Sequence, residues 1–228
     1  MNRRKGEAPP ERRTQAERRA GTRRALLDAT VSCLSERGYS GATTPEICSR
    51  AGVSQGALFK HFPSKQALMA AAVEHLFGAL LEGFVADITV ESRRRDPVEA
   101  AVQRLWQAFL SPQLAAVLEL YVAARSDDSL RENLTAVVAA HALRLREAAS
   151  RLFPDTAGNE RFALVLDLVL ELMQGMAVSR IVDPDEAHRR RLLAFAAELA
   201  REARSRTAAG ASVPVNRARS PKTKRRSR

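Results

Sequence analysis

The twenty residues Thr43–Phe62, TTPEICSRAGVSQGALFKHF, decide how this chain is read. Thr43 and Glu46 have the three-residue spacing of a capping box, while Thr44 stands before a proline suited to a helix's first position, so a helix starts at Thr43 or Thr44. Ile47 and Ala51 face inward, and Gly52 supplies the turn. Ser54 caps a second helix, in which Leu58 and Phe62 share a buried face at spacing four. Pro63-Ser64 breaks and recaps the chain, launching a long helix from Lys65. The stretch therefore reads as two short helices joined by a tight turn at Ala51-Gly52-Val53-Ser54. The second opens on small residues, which lets a helix N-terminus approach a phosphate backbone and lie in a DNA major groove.

The side chains on that second helix fit the reading. Gly56 and Ala57 present little bulk, and the helix dipole with its free N–H groups favours a phosphate. Gln55 and Lys60 can reach base edges or phosphates, since Gln suits adenine and Lys suits guanine O6/N7. Lys65 is expected to pin the backbone on the far side, and Thr43 or Thr44 can donate a hydroxyl to phosphate. Each residue also has a plain structural reading. Thr43, Thr44 and Ser54 would cap helices in any helical protein, Phe59 and Phe62 suit a core, and His61 is either packed or a base reader. Their joint spacing around the turn carries the functional reading.

Working outward, the 228 residues are 45% hydrophobic but only 5% aromatic, the composition of an all-α protein. The net charge of +11 is uneven. Residues 1–24 hold nine Lys/Arg against three acids, and residues 207–228 hold seven Lys/Arg and no acid, which leaves −2 for the chain between them. Sequence-independent attraction to phosphate would reside largely in those ends and weaken with salt. Cys33 and Cys48 fall inside amphipathic helices and read as small core residues of a reducing, cytoplasmic compartment. The first 24 residues lack an apolar stretch and do not read as a signal peptide. No segment approaches the roughly 20 apolar residues of a membrane span, so no membrane partner is expected. No metal-ligand spacing joins His61, His75, His141 and His188. Neither a phosphate-cradling glycine loop nor a nucleophile elbow appears, so an enzyme, a metal site or a cofactor is not expected.

The punctuation divides the chain into a basic arm (1–19), a helix-turn-helix domain (20–80), a second helical domain (81–206) and a basic tail (207–228). A first helix runs from near Arg18 to Arg37 and is stopped by Gly38-Tyr39-Ser40-Gly41. Beyond the long helix, which reaches about Ile88, further helices begin at Arg93–Pro97 and at Ser111-Pro112. Another spans 129–153, a loop follows at Pro154–Asn159, and the last two helices fall at about 160–181 and 185–204.

From Arg23 to about Leu80 the chain resembles the DNA-binding domain of the TetR (tetracycline-repressor) family of bacterial transcriptional regulators. The resemblance rests on Leu27-Asp28-Ala29, Gly38-Tyr39, Thr43-Thr44 with Ile47, Ala51-Gly52-Val53-Ser54, Gly56-Ala57-Leu58-Phe59 and His61-Phe62-Pro63-Ser64-Lys65 with Leu68. It implies a homodimer on a double-stranded operator, a helical effector-binding and dimerisation domain, and repression relieved by a small molecule. It also implies that Thr44, Phe59 and Lys65 face phosphate, with Gln55, Gly56, Ala57 and Lys60 nearest the bases. Two positions depart from the family pattern. Phe59 stands where tyrosine is usual and lacks its hydroxyl, and Pro45 is unusual but tolerated in a first turn.

The apolar faces of helices 160–181 and 185–204 fit a four-helix dimer bundle or an internal core. Trp106, Phe109, Tyr121, His141, Met173 and Met176 are the candidate lining of an effector pocket, with core packing as the alternative for each. Arg125 with Asp127-Asp128 is a weaker candidate for a polar ligand group. The rival reading is a helical adaptor with a vestigial DNA-binding fold that binds acidic partners through its basic ends. Salt-dependent binding without sequence preference would mark it.

Overall fold

A computed structural model describes residues 14–91 and 96–210. Every element among them is helical. In chain order they are α1 (Gln15–Gly41), α2 (Thr44–Ala51), α3 (Gln55–His61), α4 (Lys65–Glu91), α5 (Pro97–Phe109), α6 (Pro112–Ala123), α7 (Asp128–Leu152), α8 (Glu160–Ser179) and α9 (Glu186–Gly210). One 3-10 turn at Pro154–Thr156 joins α7 to α8. Residues 1–13 of the expected arm, residues 211–228 of the expected tail, and the Arg93–Arg95 start signal lie outside the described residues.

Local chemistry sets the boundaries. α1 begins three residues before the expected Arg18, because Thr14 and Glu17 form a reciprocal capping box. The Thr14 hydroxyl accepts from the Glu17 N–H at 3.2 Å, and the Glu17 carboxylate accepts from the Thr14 N–H at 2.7 Å. Gln15–Arg19, assigned to the arm by composition, are therefore helical. Gly38 interrupts α1 with φ 66° and ψ −175°. Thr43 is the cap of α2, its hydroxyl accepting from the Glu46 N–H at 3.4 Å, and Pro45 lies in the first turn. Gly52 ends α2 in the left-handed region, φ 66° and ψ 34°. Ser54 caps α3 through the Ala57 N–H at 3.2 Å. α9 runs on to Gly210, past the expected end near 204.

Two cores are built from these helices. The first gathers Leu26 and Cys33 of α1, Ile47 of α2, Leu58 of α3 and Leu68 and Met69 of α4, all with no solvent exposure. It is closed by Leu120 of α6 and by Leu130 and Leu134 of α7, so the helix-turn-helix region shares its interior with helices beyond residue 81. Burying each large apolar side chain contributes about 1.5–3 kcal/mol. The second core joins Val98, Val102 and Trp106 of α5, Phe162, Val169 and Met173 of α8, and Leu193, Ala196 and Ala203 of α9. Arg201 of α9 pairs with Asp96 and, at 3.2 Å, with Glu99 at the start of α5. Cys33 and Cys48 are unpaired thiols within the first core, as small apolar residues would be.

One expectation needs correcting. Lys65–Val90 and Glu160–Ser179 are long and apolar enough to cross a membrane by length and composition, with mean hydropathies of 1.5 and 1.7. The small and aliphatic residues that line two cores and a cavity raise the hydropathy of both. α4 packs against α1, α5 and α7, and α8 packs against α5, α6 and α9.

Candidate nucleic-acid interface and the cavity behind it

The hydrophobic period fixes which way α3 points. Leu58 and Phe62 enter the first core at 0% and 3% exposure, so the opposite face is turned to solvent. Gln55, Gly56 and Lys60 are exposed there, and Ser54 and Thr43 are exposed at the caps. Thr44, Ala57 and His61 are half-buried. Phe59 is 48% exposed, too open for a core residue, and it stands beside Lys60 on the outward face.

α2 is braced against α1 by a polar cluster. The Arg50 guanidinium reaches Glu46 at 3.0 Å, Glu36 at 2.8 Å and the Ser32 hydroxyl at 3.0 Å. Hydrogen bonds from Arg50 and then Ser32 draw the Glu36 carboxyl down to about 2. These partners fix the angle at which the turn presents α3.

The structure adds residues that the motif alone did not single out. Gln15, Arg18, Arg19 and Thr22 on the first turns of α1 line one cleft with Lys60 and His61 at the end of α3. The Arg23 guanidinium lies 5.0 Å from the Phe62 ring centroid, covering the α3 end of the core. The missed signal was the cap at Thr14, which makes these arginines part of a helix beside α3. A basic helix end beside the exposed face of α3 is suited to a phosphate backbone.

Lys65 is half-buried at the start of α4. Its Nζ donates to the Tyr39 carbonyl at 3.3 Å and sits 4.5 Å from the Tyr39 ring centroid. Burial lowers its pKa, with the Asp127 carboxylate opposing. Tyr39 is held from the other side as well. Its N–H donates to Glu119 of α6 at 2.8 Å, and its hydroxyl donates to Asp127 at 3.2 Å. Asp127 also accepts from Gln66 at 3.2 Å and caps α7 through the Leu130 N–H at 2.9 Å. Asp127 is thus engaged in this cluster, while Arg125 is exposed.

Behind the cluster, α4 to α8 wall a cavity of about 390 Å³. Phe109, Tyr121 and His141 line it, whereas Trp106, Met173 and Met176 are packed in the second core at 5%, 0% and 5% exposure. Helical phase explains the split. On α5 the lining residues are Leu105, Ala108 and Phe109, and on α8 they are Asp167, Leu170, Glu171 and Gln174, each set at spacings of three and four. Trp106, Met173 and Met176 fall on neighbouring faces. His141 stacks on Phe77 with centroids 4.0 Å apart, and its Nδ1 is buried without a hydrogen-bond partner among the described residues. Burial first, and Arg144 second, hold its pKa down to about 4, so the ring is neutral at neutral pH. Burial, and then Glu171, push the Tyr121 phenol up to about 12.

Residues 26–72 match the profile of the bacterial regulatory proteins of the tetR family. An HTH-type transcriptional regulator of Mycobacterium tuberculosis (strain ATCC 25618 / H37Rv) is 34% identical over 177 residues, covering 75% of this chain and 89% of that protein. The HTH-type transcriptional regulator CymR of Pseudomonas putida is 30% identical over 199 residues, covering 85% of this chain and 96% of CymR. A transcriptional regulator from Streptomyces coelicolor A3(2) shares the fold, with a TM-score of 0.56 at 21% identity over 81% of this chain and 98% of that one. The chain belongs to the TetR family of DNA-binding transcriptional regulators.

Proposed function

We propose that the protein is a homodimeric repressor that sets the α3 helices of two protomers into successive major grooves of an operator and is released when a small molecule enters the cavity. In this reading residues 20–80 form the DNA-binding head, and residues 81–206 form the effector-binding and dimerisation unit. The observation that carries it is the outward face of α3, with Gln55, Gly56, Phe59 and Lys60 in the open beside the basic first turns of α1. Gln55 and Lys60 read bases, while Thr43, Arg18 and Arg19 hold phosphates. Lys65 positions α4 against Tyr39 and contributes positive potential near the duplex.

Dimerisation is supported by apolar side chains left in solvent on the last two helices. Leu164, Leu168 and Val178 on α8 are 68%, 54% and 50% exposed, and Phe195 on α9 is 62% exposed. Large apolar side chains left exposed on the last two helices suit an interface between two copies. Pairing it between two copies forms a four-helix bundle and sets two heads for half-sites roughly 34–36 Å apart. Release is supported by α6, which faces both ways: Leu114, Leu118 and Tyr121 line the cavity while Glu119 holds the Tyr39 N–H. A ligand that displaces α6 would strain that contact and reorient the head.

Footprinting and salt-dependent gel shifts on the DNA flanking the encoding gene test the proposal. Lys65→Ala is expected to weaken binding to all sequences alike, whereas Lys60→Ala also relaxes sequence preference. Unchanged binding by both variants would mean that α3 is not the reading helix. Phe59→Tyr gives a converse test. A phenolic hydroxyl on this exposed position, donating to phosphate, adds a hydrogen bond to a charged group of about 1.5 kcal/mol, which is roughly tenfold in affinity. No gain would place Phe59 away from the backbone.

A further inference from the structure

We infer that the cavity walled by α4 to α8 takes a lipophilic organic cation, with Glu171 as the charge that selects it; this rests on the effector reading above. Apart from Tyr121 and Gln174, which carry no charge at neutral pH, the polar side chains lining the cavity are His141, Arg146, Asp167 and Glu171. Arg146 and Asp167 neutralise each other at 2.6 Å. Arg144, which acts on His141 electrostatically, is taken up by Glu74 at 3.1 Å. His141 contributes no positive charge, because its ring is buried against Phe77. Glu171 makes no ion pair among the described residues, and its carboxylate is near enough to Tyr121 to disfavour the phenolate. The cavity therefore keeps one uncompensated negative charge.

The rest of the lining suits the same ligand. Phe77, Phe84, Phe109 and Tyr121 present aromatic side chains from three helices, and ring faces attract a cation by their quadrupole. An anion would meet Glu171 with no unpaired cation to receive it. A neutral apolar molecule would gain nothing from the Glu171 carboxylate, which stays exposed to solvent. At about 390 Å³ the space lies within the range of small-molecule sites and holds one bicyclic or tricyclic body. The neutral His141 ring can accept a hydrogen bond from an N–H of that ligand without repelling it.

Three probes of one shape separate the charge from the fit: (2-naphthylmethyl)trimethylammonium, its neutral carbon isostere 2-neopentylnaphthalene, and 2-naphthylacetate. Calorimetric titration into the full chain is expected to show the ammonium binding about tenfold more tightly than the isostere, with the carboxylate weakest. Glu171→Gln, at an exposed position, is expected to bring the ammonium within about twofold of the isostere while leaving the isostere's own affinity unchanged. Equal or tighter binding of the neutral or anionic probe overturns the cation assignment, as does a preference that survives Glu171→Gln. Absence of binding by all three also overturns it. The effector reading is judged separately, by whether any compound in a neutral and anionic library releases the operator.

Discussion

Leu168→Glu is expected to leave each protomer folded, to convert the dimer to monomer, and to lower operator affinity by at least about 100-fold. Leu168 is 54% exposed on a stripe that includes Leu164 and Val178, so the substitution removes little from the protomer's own core. In the proposed paired bundle the same side chain is interfacial, and symmetry brings in two carboxylates. Burying an unpaired charge costs several kcal/mol, enough to cancel an interface of ordinary size. A single head then loses the effective concentration that the second half-site supplies, worth roughly 10²- to 10⁴-fold. Sedimentation together with a gel shift checks both halves. Leu168→Ala is the control that trims area without adding charge. A Leu168→Glu protein that sediments as a dimer and still binds operator would place the interface elsewhere.

Gly38→Ala is expected to destabilise the protein by about 1–3 kcal/mol, because φ 66° with ψ −175° is a region that essentially only glycine occupies. A second effect acts at the same place. A Cβ on residue 38 would stand 2.6 Å from one Glu119 carboxylate oxygen and 2.7 Å from the other. That carboxylate would have to leave the Tyr39 N–H. Urea unfolding measures the first effect, and hydrogen exchange at the Tyr39 amide reports the second. Glu119→Ala separates them. It removes the α6 contact without straining the backbone, so it should keep operator affinity while blunting the response to ligand. A Gly38→Ala protein as stable as the parent would show that the backbone relaxes out of this conformation freely.

The head was legible in the sequence because its signals are local. Thr43, Gly52 and Ser54 terminate helices by chemistry contained within a few residues, and Leu58 with Phe62 shows its phase over one turn. The early start of α1 was equally local, but Thr14 lies in a stretch whose proline and arginine content pointed to an arm. Lys65 was harder. Its partner Tyr39 is 26 residues away, and Asp127, which binds the adjacent Gln66, is 61 residues from it, so only the packing of α1, α4 and α7 reveals where the charge is spent. The cavity shows the limit of composition. Aromatic and methionine residues were a fair sign of an apolar interior, but only helical phase separates Phe109, which lines the space, from Trp106 three positions earlier, which does not.

The apolar interior around Leu58 and Leu68 is sealed by Leu120, Leu130 and Leu134, side chains that come from beyond the helix-turn-helix. The helix-turn-helix is thus not a detachable module. Grafting it onto a relative's body, to redirect a sensor to a new promoter, requires carrying over the matching α6–α7 surface. Without that surface the transplanted α3 sits on an open seam, and its aim is set by whatever side chains happen to meet it.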